Sequence, residues 1–206
     1  MKPGKPRILT CPFCGTEKLV LSLISGNTIG AEYWSDGKKI APMLPETSYV
    51  QKCPHCGKYY ITSRQEPRFA SVWGFGEQGL LTFPEMKEAF DQISKEGFED
   101  ANEEETLHFM LLYAYNDYYY RSEEGKTVDE NDHILFVNNV KWILENCELD
   151  DITKAEFYRE IGDMANAKKL AESLGTGNMF YNNYVECLNA RIEQNDCIAF
   201  KINYLD

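Results

Sequence analysis

Two short cysteine motifs constrain this chain more than anything else in it: Cys11-Pro12-Phe13-Cys14-Gly15 and Cys53-Pro54-His55-Cys56-Gly57. In a C-x-x-C pair the two-residue spacer lets both sulfurs reach one ion. The glycine that follows can take the positive φ needed where the turn wraps beneath them. Two such pairs supply four sulfurs, the full donor set of a closed tetrahedral site. The spacing therefore predicts a metal ion held by Cys11, Cys14, Cys53 and Cys56. Zn²⁺ in a structural role is the expected occupant, since four cysteines leave no open position for a reacting water. Iron is the alternative, because tetrahedral sulfur geometry suits both metals. His55, inside the second motif, is expected on the knuckle surface and not as a ligand.

The segments around the motifs read as short strands. Lys18 to Ile24 is rich in β-formers and ends at Ser25-Gly26-Asn27. Ala31 to Trp34 meets the turn Ser35-Asp36-Gly37-Lys38, and Lys39 to Pro45 returns from it with two prolines that exclude a central strand position. Ser48 to Gln51 leads into the second motif, and Tyr59-Tyr60-Ile61 follows it. Strands flanking two such knuckles make a zinc ribbon. Residues 15 to 52, 38 in all, separate the two pairs, more than the 15–20 of a minimal site. The excess is expected to be a β-hairpin inserted within the ribbon, with Trp34 at its tip as a possible contact residue. Residues 1–10 are expected to form a loose arm.

Thr82-Phe83-Pro84-Glu85 is a capping-box start, and helices are predicted over about 84–96, over 101–121, from a start at Thr127 to Glu130, over 152–174 with a corner at Gly162-Asp163, and over 179–193. The second is apolar on nearly every face, which places it centrally in its domain. It carries Tyr115, Asn116, Asp117 and Arg121, a polar group that is either paired inside a core or the floor of a partner groove. Between ribbon and helices, Phe69, Trp73, Gly74, Phe75, Gly76 and Gly79 mark a linker or wrapping loop. Cys197 to Ile202 is expected to close the chain in extended form. The domain reading is thus 1–66 ribbon, 67–83 linker and 84–206 helical domain, an α+β chain.

Charge supports two parts. Residues 1–68 hold ten Lys/Arg and five Asp/Glu, whereas residues 69–206 hold eleven and twenty-eight. The acidic half repels nucleic acid; the ribbon, with Lys18, Lys38, Lys39, Lys52 and Lys58, is mildly basic and is the part that could bind it. The glutamate runs Glu103 to Glu105 and Glu123-Glu124 read as solvated helix ends. A basic start without an apolar h-region is no signal peptide, and no apolar run reaches the roughly 18 residues of a membrane span. A cytoplasmic protein with no membrane partner is expected. The remaining cysteines, Cys147, Cys187 and Cys197, read as small apolar residues, and His108 and His133 as ordinary packing or surface residues. No phosphate-loop, nucleophile-elbow, zincin or dinucleotide fingerprint occurs, so the chain is expected not to be an enzyme.

Ile152 to Leu174 resembles one tetratricopeptide repeat: Ala155 at the small position of the first helix, Tyr158 after it, Gly162 at the turn, Ala167 and Ala171 on the second helix. It departs from that pattern at Asp151, where a bulky residue is usual, and at Gly175, where the closing proline is usual. The resemblance implies helical hairpins that offer a groove to a peptide. The knuckles are also similar to those of rubredoxins, which implies electron transfer through iron. The whole chain resembles a bacterial family with a zinc ribbon ahead of such helices, through Gly30 to Gly37, Pro42 to Pro45, the second knuckle and Tyr113 to Asp117. That resemblance implies architecture alone. The function expected is a non-catalytic zinc-binding interaction or adaptor module with a protein or peptide partner. Nucleic-acid binding through the ribbon is the alternative, and electron transfer the third.

Overall fold

The computed structural model describes residues 1–73, 76–122 and 125–202. Gly74, Phe75, Glu123 and Glu124, named above, lie outside the described residues. Among the described residues the chain is α+β, with short strands first, six helices after them and one more strand last. It divides into two units that share the sequence in an interleaved way: Met1–Ala31 with Ile40–Asp100, and Glu32–Lys39 with everything from Ala101 onward.

In the first unit, β1 (Lys2–Pro3) pairs with β4 (Leu23–Ser25), while β2 (Arg7–Thr10) pairs antiparallel with β3 (Glu17–Val20) from Arg7↔Val20 to Thr10↔Glu17. The expectation of a loose arm over residues 1–10 is corrected. β2 is the middle strand of its sheet, with β9 (Arg68–Phe69) on its other side, and the Arg7 guanidinium donates to the carbonyls of Thr62 and Gln65. Polar residues at 5 and 7 hide this pairing from a hydrophobicity pattern, since the strand is held by ladder bonds, one arginine and the single buried side chain of Leu9. The single strand expected over 18–24 is broken at Leu21-Ser22, where Ser22 Oγ donates to the Lys5 carbonyl.

β5 (Glu32–Trp34) and β6 (Lys39–Ile40) form the hairpin predicted around Asp36-Gly37, with Gly37 at φ 86°. β7 (Val50–Lys52) and β8 (Tyr59–Ile61) form a second knuckle-bearing hairpin, Lys52↔Tyr59 to Val50↔Ile61. Helix α1 (Phe83–Glu96) starts with the predicted capping box, Thr82 with Glu85, and buries Phe83, Met86, Ala89 and Ile93. It belongs with β8 and not with the later helices, which departs from the boundary expected at residue 84. The reason is specific pairing. Gln92 bonds both backbone groups of Tyr59, Tyr59 Oη donates to Glu88 at 2.7 Å, and Lys52 pairs with Glu85. A helix thereby covers a strand edge that would otherwise stay open.

The second unit is built from α2 (Ala101–Tyr119), α3 (Glu130–Asn146), α4 (Asp151–Glu160), α5 (Met164–Ala171) and α6 (Met179–Glu193). Side-chain caps fix four of their starts: Asp129, Asp150, Asp163 and Asn178 each accept from a first-turn amide. α2 packs on α3 through Tyr115 stacked on Phe136, centroids 4.1 Å apart. The tight corner between α4 and α5 needs Gly162, at φ 80°. Ala155, Ala167 and Ala171 let those two helices approach closely, and with Tyr184, Leu188 and Ile192 of α6 they make one buried cluster. β10 (Lys201–Ile202) runs against β5, Lys201↔Trp34 and Ile202↔Tyr33. The hairpin expected as an insertion within the ribbon is therefore a component of the helical unit. No helix among the described residues is long and apolar enough to cross a membrane.

Candidate metal centre

The knuckles repeat one another in detail. In each, the first cysteine amide bonds five residues ahead, Cys11 to the Thr16 carbonyl and Cys53 to the Lys58 carbonyl. The glycine amide bonds back to the first cysteine carbonyl, Gly15 to Cys11 and Gly57 to Cys53. Gly15 and Gly57 sit at φ 75° and 74°, where a side chain would be strained. Each turn joins a strand pair, β2–β3 or β7–β8, so the ladders set the position of the sulfurs.

All four sulfurs lie within 4.8 Å of one another, with Cys11–Cys56 at 3.6 Å and Cys14–Cys53 at 3.5 Å. A regular tetrahedron with metal–sulfur bonds of about 2.3 Å has edges of about 3.8 Å, so the group can hold a metal ion. Cys11 and Cys53 are buried beneath the site, and Cys14 and Cys56 are exposed. Burial pushes the Cys11 thiol up, to about 12, against the amides of Phe13 and Cys14. Cys14 is drawn down to about 6, first by the Thr16 hydroxyl 3.3 Å away and then by the Thr16 amide. Burial also opposes ionisation at Cys53, yet the amides of Cys56 and His55 leave it lowered. Such amide and hydroxyl donors are what a bound sulfur site uses to spread its negative charge. Leu9, Val20 and Tyr60 complete the apolar floor under Cys11 and Cys53.

A cavity of about 250 Å³ lies beside the first knuckle, lined by Phe13, Tyr59, Tyr60, Arg64, Ile93 and Glu96 among others. That is below the roughly 300–1,000 Å³ of small-molecule sites. The basic face expected of the ribbon is partly neutralised: Lys18 pairs with Glu77, Lys52 with Glu85, and Lys58 lies 4.5 Å over the Phe13 ring. Lys38, from the hairpin, pairs with Asp117 in the helical unit, its side chain only 9% exposed.

Tyr115, Asn116, Asp117 and Arg121, the expected groove, do come together; Tyr115, Asn116 and Arg121 point inward, and the Asp117 side chain stays 42% exposed at the edge. Tyr115 and Asn116 are fully buried and the Arg121 side chain is 4% exposed. The groove-floor reading gives way to the paired-core alternative. Arg121 donates to Asp36 at 2.7 Å, to Asp117 at 2.6 Å and to the Tyr113 carbonyl. Asn116 Nδ2 reaches Asp36 at 2.9 Å and Glu160 at 3.1 Å. Trp34, expected as a contact residue at the ribbon's tip, is half-buried beneath the Arg121 guanidinium, 5.1 Å from its ring centre.

The polar core extends to residues that sequence reasoning passed over. Arg159 forms a fork with Glu156, both side chains wholly buried, and also donates to the Asp196 carbonyl. Glu160 is 1% exposed; burial, then the carboxylates of Glu156 and Asp36, push its pKa well above the usual range. The shift favours its neutral form in the core. The only signal available was the triplet Glu156, Arg159, Glu160 along one side of α4, amid Ala155 and Phe157.

Of the other singled-out residues, His133 is exposed and His108 is buried. His108 stacks on Trp142 at 3.6 Å and faces Asn139 Oδ1 at 2.7 Å; burial lowers its pKa. Burial raises the thiols of Cys147 and Cys197, which disfavours thiolate chemistry there.

No family model, no curated protein and no solved structure matches the chain.

Proposed function

We propose that this protein is a non-catalytic, zinc-binding interaction module: a zinc ribbon whose metal is structural, joined to an acidic helical unit with one tetratricopeptide-like hairpin, α4–α5. One observation carries the reading, the closure of four cysteine sulfurs within 4.8 Å on two matching turns with no place left for a substrate ligand. A site of this kind converts metal affinity into folding energy and presents no reactive water. Exposed apolar side chains on the first unit support a protein or peptide partner: Ile24, Ile29, Phe69, Val72 and Trp73 are each more than half exposed. The carboxylate pairing of Lys18 and Lys52 counts against the nucleic-acid alternative, since paired lysines release fewer counterions on binding.

Zinc-loaded full-length protein screened against a displayed peptide library tests this. The reading predicts peptides that bind one to one and whose capture depends on the metal. No peptide ligand, together with RNA or DNA binding that weakens steeply with salt, would overturn it in favour of the nucleic-acid reading.

A further inference from the structure

The hairpin of residues 32–39 lies in sequence between the two knuckles, yet its contacts belong to the helical unit. Its grip there is extensive. The Ser35 amide donates to the Phe200 carbonyl at 2.8 Å, the Phe200 amide donates to Ser35 Oγ at 2.9 Å, and Tyr184 Oη donates to the Ser35 carbonyl at 2.6 Å. Asp36 takes Arg121 and Asn116, and Lys38 takes Asp117. Ser35 and Asp36 are 2% and 1% exposed. The helical unit is thus discontinuous: residues 40–100 of the other unit separate its hairpin from α2.

Chain entropy follows from that threading. Docking the hairpin against α2 closes a loop made of residues 40–100. Closing a flexible loop of n residues costs about (3/2)RT ln n, so the chance of closure falls as about the 3/2 power of length; a folded insert with fixed ends escapes that cost. Those 61 residues contain Cys53 and Cys56, so an ion held by the four cysteines ties them to Cys11 and Cys14 and orders the insert. Metal binding then favours hairpin docking, and docking favours metal retention to the same degree, because coupling free energies are reciprocal.

We propose that the cysteine centre and the Ser35–Asp36 lock form one metal-responsive switch: metal loss at the knuckles releases hairpin 32–39 from the helical unit. The inference rests on the metal-binding reading of the four cysteines. The lever acts through the chain itself, and residues 32–39 are the part of the helical unit that it moves. Release uncovers the Asp36-binding pocket formed by Asn116 and Arg121 and unpairs β10 from β5, so metal status changes the surface the helical unit presents.

Hydrogen exchange on the full-length protein tests the switch, with metal content measured on the same sample before and after chelation. The expected result is one metal per chain at the start. After chelation, exchange at the Ser35 and Phe200 amides quickens on the order of tenfold to a hundredfold, and the Ala167 amide in α5 changes far less. In the other direction, Ser35→Ala and Asp36→Asn, which touch no cysteine, should each weaken zinc retention against a competing chelator roughly tenfold. Ser35→Ala is the milder of the two and keeps the test valid if Asp36→Asn fails to fold. Metal bound one to one, with exchange over 32–39 unchanged on chelation and zinc retention unchanged in Ser35→Ala, overturns the switch and leaves the metal centre standing. No metal uptake at all overturns the centre and the switch together.

Discussion

At the scale of single residues, the acid–base pairs buried in the helical unit decide most. Arg159 has no solvent contact and its charge is met by Glu156. Arg159→Met should therefore destabilise the chain by about 3–5 kcal/mol in urea unfolding, since it leaves Glu156 buried without its partner; a loss under about 1 kcal/mol would show the pair to be dispensable. Glu160 gives a pH signature. Its folded pKa is raised, by burial first and by neighbouring carboxylates second. Its contribution to stability is fully present below the unfolded value of about 4.3 and is lost as pH rises through the raised folded value. Glu160→Gln, a permanent neutral mimic, should flatten the fall in thermal midpoint that sets in as pH rises above the unfolded value of about 4.3. An unchanged slope would contradict the assignment of that fall to Glu160.

At the scale of elements, the knuckles are the most exacting turns. Gly57→Ala meets nothing within 4 Å of the added carbon but must adopt φ 74°, so its cost is backbone strain, about 1–2 kcal/mol. Chelator titration should show the same loss in metal affinity, roughly tenfold, and an unaffected affinity would mean the turn relaxes freely. The knuckles were legible in the sequence because spacing and glycine placement are local requirements. The helices were legible for similar reasons: Thr82/Glu85 and Gly162-Asp163 are punctuation read within a few residues. Partnership was not. Residues 32–39 look like a ribbon insertion by position, and only the Ser35, Asp36 and Lys38 contacts assign them to the helical unit. Likewise α1 pairs with β8 through Gln92 and Glu88, polar residues that a hydrophobic pattern leaves on the solvent side. The polar face of α2 shows why burial is hard to infer. Asn116 and Arg121 are typical groove residues, and they are internal here because Asp36, 80 and 85 positions away, reaches them.

At the scale of the whole molecule, the account makes the metal the organiser of the first unit. The cluster directly beneath the site joins Leu9, Cys11, Val20, Cys53 and Tyr60, and α1 adds buried Phe83, Met86, Ala89 and Ile93 to the same unit. Structural zinc sites contribute on the order of 10–16 kcal/mol of apparent binding energy, which adds to what that burial supplies. The most direct measurement is the metal content and visible spectrum of freshly purified protein, followed by its strand signal in circular dichroism as chelator is added. The account predicts one colourless zinc per chain, with the strand signal of the first unit lost as the zinc is removed. A red protein carrying one iron per chain would contradict the choice of metal. A metal-free chain whose strands persist in excess chelator would contradict the central claim itself.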